Sequence, residues 1–143
     1  MVQHTTEVRV RYADTDQMKN VYYAKYFEYF EQGRSDFLRA LGLPYPALEA
    51  QGFLLPVVEA FARYKRPACY DDLLRVETRL VALPGASIRL DYLVVREGES
   101  DVLAEGYTVH SFVNASTGKP TRPPQSLLNV INNAFNGMKA LHD

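Results

Sequence analysis

Two aspartates two residues apart, Asp14 and Asp16, stand in the run Tyr12-Ala13-Asp14-Thr15-Asp16-Gln17-Met18-Lys19-Asn20-Val21-Tyr22-Tyr23. An apolar pattern of helical period begins at Tyr22, so both carboxylates lie shortly upstream of a helix N-terminus. Such a terminus offers backbone N–H groups without partners inside the helix, and a partial positive charge. A carboxylate facing it could attack a carbonyl carbon, or activate water against it, while the carbonyl oxygen rests on those N–H groups. The same residue types also do simpler work. Asp14, Asp16 and Asn20 are favoured turn formers and helix caps, and the spacing alone leaves both readings open.

The rest of the chain offers few competitors. It holds no Gly-x-Ser-x-Gly elbow, no glycine-rich phosphate loop ending in Lys-Ser/Thr and no His-Glu-x-x-His. His4 and His142 lie near the ends and are expected to be solvated, while His110 falls in a strand and is expected to be packed or hydrogen-bonded there. With no two histidines close in sequence, no metal site and no cofactor are expected. Cys69 is the only cysteine, which excludes an intrachain disulfide and a cysteine-rich zinc site; beside Pro67 and Ala68 it is expected to be a small buried hydrophobe. Sixteen Lys and Arg against 17 Asp and Glu leave a net charge of −1, which gives no reason to expect nucleic acid as a partner. The start of the chain has no signal-like apolar core, and no apolar run approaches the ~20 residues of a membrane span. A soluble cytoplasmic protein is expected.

The elements that must position the aspartates follow from periodicity. Val8, Val10 and Tyr12 alternate with Arg9 and Arg11, predicting a half-exposed strand over Glu7–Tyr12. From Tyr22 the apolar stripe Tyr23, Tyr26, Phe27, Phe30, Phe37, Leu38 and Leu41 predicts a helix of about five turns, stopped by Gly42 and Pro44. Gly33 interrupts that stripe, where a missing side chain lets a sheet approach closely. A short helical turn is expected over Pro46–Gln51. Strands follow at Leu54–Tyr64, Leu73–Leu83, Ser87–Arg96 and Val102–Asn114, and Leu127, Ile131, Ala134, Phe135, Met138 and Leu141 mark a closing amphipathic helix. With 143 residues, 47% hydrophobic and 23% charged, and neither linker nor repeat, the chain reads as one globular domain over 1–143. Consecutive strands predict an α+β fold with a five-stranded, mainly antiparallel sheet. One helix covers one face, so the other face or the sheet edge calls for a second subunit.

The run RYADTDQMKNVYYAKYFEYFEQGR and the later RYKRPACYDD resemble the hotdog-fold acyl-CoA thioesterases of the 4-hydroxybenzoyl-CoA thioesterase type, nearest to the Tol-Pal-associated branch. The family pattern is Asp-x-Asp, then Val-Tyr-Tyr starting five residues past the second Asp, then Tyr or Phe three residues on. Here these are Asp14-Thr15-Asp16, Val21-Tyr22-Tyr23 and Tyr26. The resemblance implies a sheet wrapped around one long helix. It implies hydrolysis of a thioester to a carboxylic acid and free Coenzyme A, with Asp16 as nucleophile or general base and the Tyr23 backbone N–H polarising the carbonyl. Asn20, Val21, Tyr22 and Glu59 would then line the substrate site. For Coenzyme A phosphates, Lys119 and Arg122 are the expected donors, with Arg63, Lys65 and Arg66 as a second cluster. A homodimer or homotetramer with active sites at the dimer interface is implied as well. Two positions depart from the pattern: Lys19 stands where relatives often carry Gly, and Asn20 where they carry a hydrophobic residue or His. Glu31 is a further carboxylate to watch, since another hotdog branch uses one from this helix. A carrier-protein thioesterase and a non-catalytic acyl-CoA-binding module remain the alternatives.

Overall fold

A computed structural model describes residues 1–142, with side chains through Gly137. In chain order its elements are β1 (Val2–Arg9), α1 (Lys25–Ala40), α2 (Tyr45–Ala50), β2 (Phe53–Leu54), β3 (Val57–Tyr64), β4 (Leu73–Leu80), β5 (Ser87–Arg96), β6 (Val102–Ser111), β7 (Val113–Asn114) and α3 (Gln125–His142). Five strands form one sheet in the order β1-β4-β5-β6-β3, antiparallel throughout, and β2 pairs with β7 separately. The sheet wraps α1, which is the expected hotdog arrangement. Met138 and Leu141 of the closing helix, and His142, have side chains outside the described residues.

Alternation decides which face meets the helix. Leu74, Val76, Leu80, Ile88, Leu90, Tyr92, Val94 and Ala104 are buried toward α1, and Arg75, Arg79, Arg89 and Asp91 alternate with them on the outer face. The helix buries Tyr26, Tyr29, Phe30, Gly33, Phe37 and Leu38 in return. Phe30 stacks on Tyr92 with centroids 4.4 Å apart, and burying a side chain of that size contributes about 2 kcal/mol. Gly33 has the role expected of it. A Cβ there would sit 2.6 Å from Thr78 Oγ1 and 3.1 Å from Val76 Cγ1, so its absence sets the helix-to-sheet distance.

Several boundaries differ from the periodicity, each for a local reason. β1 spans Val2–Arg9, not Glu7–Tyr12, because its inward positions include His4 and Thr6, which mask the apolar alternation. Past Arg9 the chain bends as Val10 donates to the Asp72 carbonyl, and Tyr12–Asp14 form a 3₁₀ turn. The strand expected over 54–64 breaks at Pro56, and the one over 102–114 breaks at Phe112. α1 starts at Lys25 because Val21 and Tyr22 are already bonded, to the Ala68 and Asp14 carbonyls respectively. Tyr23 and Phe27, placed on the apolar stripe by period, are exposed, and Tyr29 takes a core position instead.

Strand β3 is left at the sheet edge with one side unpaired, and it is apolar. Val57, Val58, Phe61 and Tyr64 are all exposed, Val58 at 61%. An uncovered apolar edge of this kind is a template for another strand.

Candidate active site

The segment between β1 and α1 folds into a small hairpin. Thr15 pairs with Val21, Asp16 N–H donates to the Asn20 carbonyl at 2.8 Å and Lys19 N–H to the Asp16 carbonyl at 3.0 Å. To make that turn Lys19 adopts φ 65°, the left-handed region that glycine enters without cost. The departure at this position is therefore a backbone matter: the loop keeps its shape and carries the strain. A second layer of bonds, Val21 N–H to the Ala68 carbonyl and Tyr70 N–H to the Lys19 carbonyl, fastens the hairpin to the segment before β4.

The two aspartates part company here. Asp14 is buried. Its carboxylate accepts from the Tyr29 hydroxyl at 3.0 Å, the Arg11 N–H at 3.1 Å and the Arg11 guanidinium at 3.2 Å. Burial by itself would raise the Asp14 pKa, but the bonds from Arg11 and Tyr29 and the Arg11 charge outweigh it and hold the carboxyl below the usual value. The same pairing, with burial first, pushes the Tyr29 phenol far up. Asp14 is thus a fixed anion that ties the loop to α1.

Asp16 is exposed, and only its Oδ1 is occupied, accepting Met18 N–H at 2.8 Å and Asn20 N–H at 3.2 Å. Its other carboxylate oxygen has no donor among the described residues. Three residues of returning chain separate Asn20 from Tyr23, at most about 10 Å. Among the described residues the Tyr23 N–H has no acceptor, while the Tyr23 carbonyl is held by the Tyr64 hydroxyl at 3.0 Å. Ala24, the residue preceding α1, provides no side-chain cap. The helix N-terminus is therefore open to an oxygen from outside.

The remaining expected site residues are distributed unevenly. Asn20 does not cap the helix; its side-chain oxygen lies 3.5 Å from Cys69 Sγ, which leaves Tyr23 N–H unclaimed. Cys69 itself is exposed, contrary to expectation, and is paired through its backbone with Asn20 of the surface hairpin. Val21 corrects the substrate-lining assignment: its side chain is 8% exposed and belongs to the core, so only its backbone serves the loop. Tyr22 is exposed with its ring 4.5 Å from that of Tyr23, and the neighbouring Tyr23 hydroxyl pushes the Tyr22 phenol up. Glu59 also needs correcting. It is paired with Val109 on the outer sheet face and accepts from the Tyr107 hydroxyl at 2.8 Å, turned away from α1 and from Asp16. Lys119 and Arg122 are exposed on the loop after β7, which lies at the Val57 end of the sheet, whereas Tyr64 and the N-terminus of α1 lie at the other end. Arg63, Lys65 and Arg66 do lie at the Tyr64 end, paired with Glu105 and Asp101.

Among the described residues no cluster of three or more His, Cys, Asp or Glu could hold a metal ion, and no helix is long and apolar enough to cross a membrane.

Comparison with known proteins gives the family and the fold. Residues 10–131 match the family model described as the thioesterase-like superfamily. The acyl-CoA thioester hydrolase YbgC of Escherichia coli O6:H1 is 31% identical over 85% of this chain and 90% of its own length. A crystal structure of a Thermus thermophilus protein superposes with a TM-score of 0.84 at 36% identity, covering 93% of this chain and 98% of that one. The DHNA-CoA thioesterase of Staphylococcus aureus does so with a TM-score of 0.85 at 27% identity, covering 99% and 94%.

Proposed function

The chain belongs to the thioesterase-like superfamily and is a thioester hydrolase, and from that premise we propose how its own residues carry the reaction. The substrate is an acyl-CoA. Its thioester oxygen rests on the Tyr23 N–H at the head of α1, and the free oxygen of Asp16 faces the carbonyl carbon. As the carbon becomes tetrahedral, negative charge gathers on the oxygen and meets an N–H already oriented by the helix. The C–S bond then breaks, Coenzyme A leaves as thiolate and takes up a proton, and water supplies the oxygen of the carboxylic acid. Asp16 adds to the carbon itself or removes the proton of that water; both routes use the same two groups. The single observation that carries this reading is the pairing of an unclaimed N–H at Tyr23 with a carboxylate at Asp16 that has one oxygen free.

Asp16, Tyr22 and Tyr23 lie on an open surface, and a thioester site needs walls. A homodimer joined edge to edge along β3 supplies them. Antiparallel pairing of two β3 strands places the Val57 end of one copy beside the Tyr64 end of the other. Lys119 and Arg122 of the second copy thereby approach the N-terminus of α1, where they would meet the phosphates of Coenzyme A. Asn20 and Tyr22 form the rim on the first copy. The exposed thiol of Cys69 suits a reducing, cytoplasmic setting, and the Asp14-Thr15-Asp16 and Val21-Tyr22-Tyr23 pattern favours the Tol-Pal-associated branch.

The experiment is hydrolysis of short, medium, long and aromatic acyl-CoA, followed by thiol release, with sedimentation of the same sample. We expect turnover of at least one class by a dimer or tetramer. Activity from a strict monomer contradicts the interface. Binding without turnover across the panel contradicts the catalytic reading.

A further inference from the structure

The run RYKRPACYDD begins one residue before the end of β3, and its first tyrosine, Tyr64, has no part in the chemistry described so far. Strand pairing fixes the direction of its side chain. Ala60, Ala62 and Tyr64 stand opposite Thr108, Gly106 and Ala104 of β6, and Thr108 and Ala104 are buried on the face that packs against α1. Phe61 and Arg63, at the alternate positions, belong to the outer face. Tyr64 thus reaches from the end of the strand toward the head of the helix. Its ring centroid lies 5.1 Å from that of Tyr26 and 6.3 Å from that of Tyr23. Tyr26 is buried, so the Tyr64 ring is braced against the core on one side and against Tyr23 on the other.

The hydroxyl at the tip of that ring donates to the Tyr23 carbonyl at 3.0 Å. Burial, and then the Tyr23 phenol beside it, raise the Tyr64 phenol, so it keeps its proton through neutral pH and remains a donor. The first turn of α1 has little else to hold it. Its backbone bonds run from Lys25 N–H to the Tyr22 carbonyl at 2.9 Å, from Tyr26 N–H to the Tyr23 carbonyl at 3.3 Å and from Phe27 N–H to the Ala24 carbonyl at 3.3 Å. All three span three residues, the tight 3₁₀ pattern that often opens a helix, and two of them are long. Ala24 supplies no side-chain cap. Among the described residues, Tyr64 is the only side chain that bonds a backbone group of residues 22–24.

Two rigid peptide planes meet at Tyr23. The plane before it carries the Tyr23 N–H, and its carbonyl end is held by Lys25 at 2.9 Å. The plane after it carries the Tyr23 carbonyl, held weakly by Tyr26 and firmly by the Tyr64 hydroxyl. Holding both planes fixes the two dihedrals between them, and with them the direction of the Tyr23 N–H. Without the phenol the second plane keeps only the 3.3 Å bond and is free to swing. Misplacing a catalytic group by about 1 Å can cost 10²-fold in rate. We infer that Tyr64 is a positioning residue for the thioester reaction: it touches no reacting atom and acts by aiming the Tyr23 N–H at the oxygen where charge develops. This rests on the thioesterase reading above, in which that N–H receives the carbonyl oxygen. A bond that merely docked β3 on α1 would serve stability instead. Tyr64 is 44% exposed, so water can replace its hydroxyl without disturbing the ring packing, and the main consequence of the bond is geometric.

Tyr64→Phe keeps the ring and removes only the donor. At unchanged melting temperature and oligomeric state it is expected to lower kcat about tenfold, less than the 10²–10³-fold loss that follows removal of an oxyanion donor outright. KM for the acyl-CoA should change little, because the aim matters once charge builds on the oxygen. Infrared difference spectra supply a readout that a structural role would not move. Hexanoyl-CoA and benzoyl-CoA, isotopically labelled at the thioester carbonyl, are bound to Asp16→Asn enzyme, which is expected to hold them with little turnover. The carbonyl band should shift to lower frequency on binding, and the shift should shrink when Tyr64→Phe is added. The band is read on folded, substrate-bound protein, so a less stable variant still decides. An unchanged kcat in Tyr64→Phe, or a lowered kcat with an unchanged carbonyl band, overturns the positioning role and leaves Asp16 and Tyr23 in place. No shift with either thioester in the Asp16→Asn parent refutes the Tyr23 donor, and full turnover by Asp16→Asn refutes the site itself.

Discussion

Replacing Asp14 by Leu is expected to cost stability, because Asp14 anchors the loop to α1 and is not itself a reacting group. The substitution removes an acceptor from the buried Tyr29 hydroxyl, which is left unsatisfied at a cost of about 1–3 kcal/mol. It also removes a charge-assisted bond from the Arg11 N–H, worth about 1.5 kcal/mol, while the exposed Arg11 guanidinium adds little. The expected loss is about 3 kcal/mol, read as a lower urea midpoint at unchanged slope. In a Tyr29→Phe background the same change should cost about 1–2 kcal/mol less, because no hydroxyl is then orphaned. The pH dependence has a definite sign. Asp14 has its pKa lowered in the fold from 3.8, so its stabilisation is complete above that value and is lost as pH falls through the lower, folded one. The gap in stability between wild type and Asp14→Asn should therefore close in acid below about pH 4. Activity per folded molecule of Asp14→Asn should stay near wild type. A stability loss under about 0.5 kcal/mol for Asp14→Leu, or a collapse of kcat in a fully folded Asp14→Asn, would show that the division between the two aspartates is wrong.

Other outcomes follow from the same structure. Gly106→Ala places a Cβ 2.2 Å from the Phe61 carbonyl and 2.8 Å from Phe30, so it should lower the melting temperature more than Gly33→Ala, whose nearest neighbour is the movable Thr78 side chain. Equal melting temperatures would contradict that packing. Lys19→Gly should stabilise by about 1 kcal/mol by relieving the left-handed strain, read as a higher urea midpoint, and a lower midpoint would contradict the strain. Charge reversal at Lys119 and Arg122 together should raise KM for acyl-CoA with little change in kcat, and an unchanged KM would place the phosphates elsewhere.

Much of the fold was legible because the sheet alternates cleanly where Leu74, Val76, Leu80 and Ile88 to Val94 face α1, and because Gly33 marked the close approach. What escaped the pattern had competing physics. His4 and Thr6 sit inward in β1 and hid its first half. Tyr29 was missed as a core residue because its hydroxyl finds Asp14 across the loop, a contact no periodicity announces. At the site, residue types alone could not rank Asp14 against Asp16; burial and hydrogen bonding do. Glu59 was misplaced by a bulge between Val57 and Glu59 that turns the carboxylate to the outer face. The hydrogen-bonded chain from Tyr92 through Thr108 to His110 joins β5 to β6, and nothing local in the sequence announces it.

The central claim is that the Asp16 carboxylate drives thioester hydrolysis, and Asp16→Asn is its most direct test. The amide oxygen of Asn can still accept from Met18 and Asn20, so the loop should hold its shape while the charge is gone. With melting temperature and oligomeric state matched to wild type, kcat on the best acyl-CoA is expected to fall by about 10²–10⁴-fold. Undiminished turnover by a folded Asp16→Asn enzyme would contradict the account.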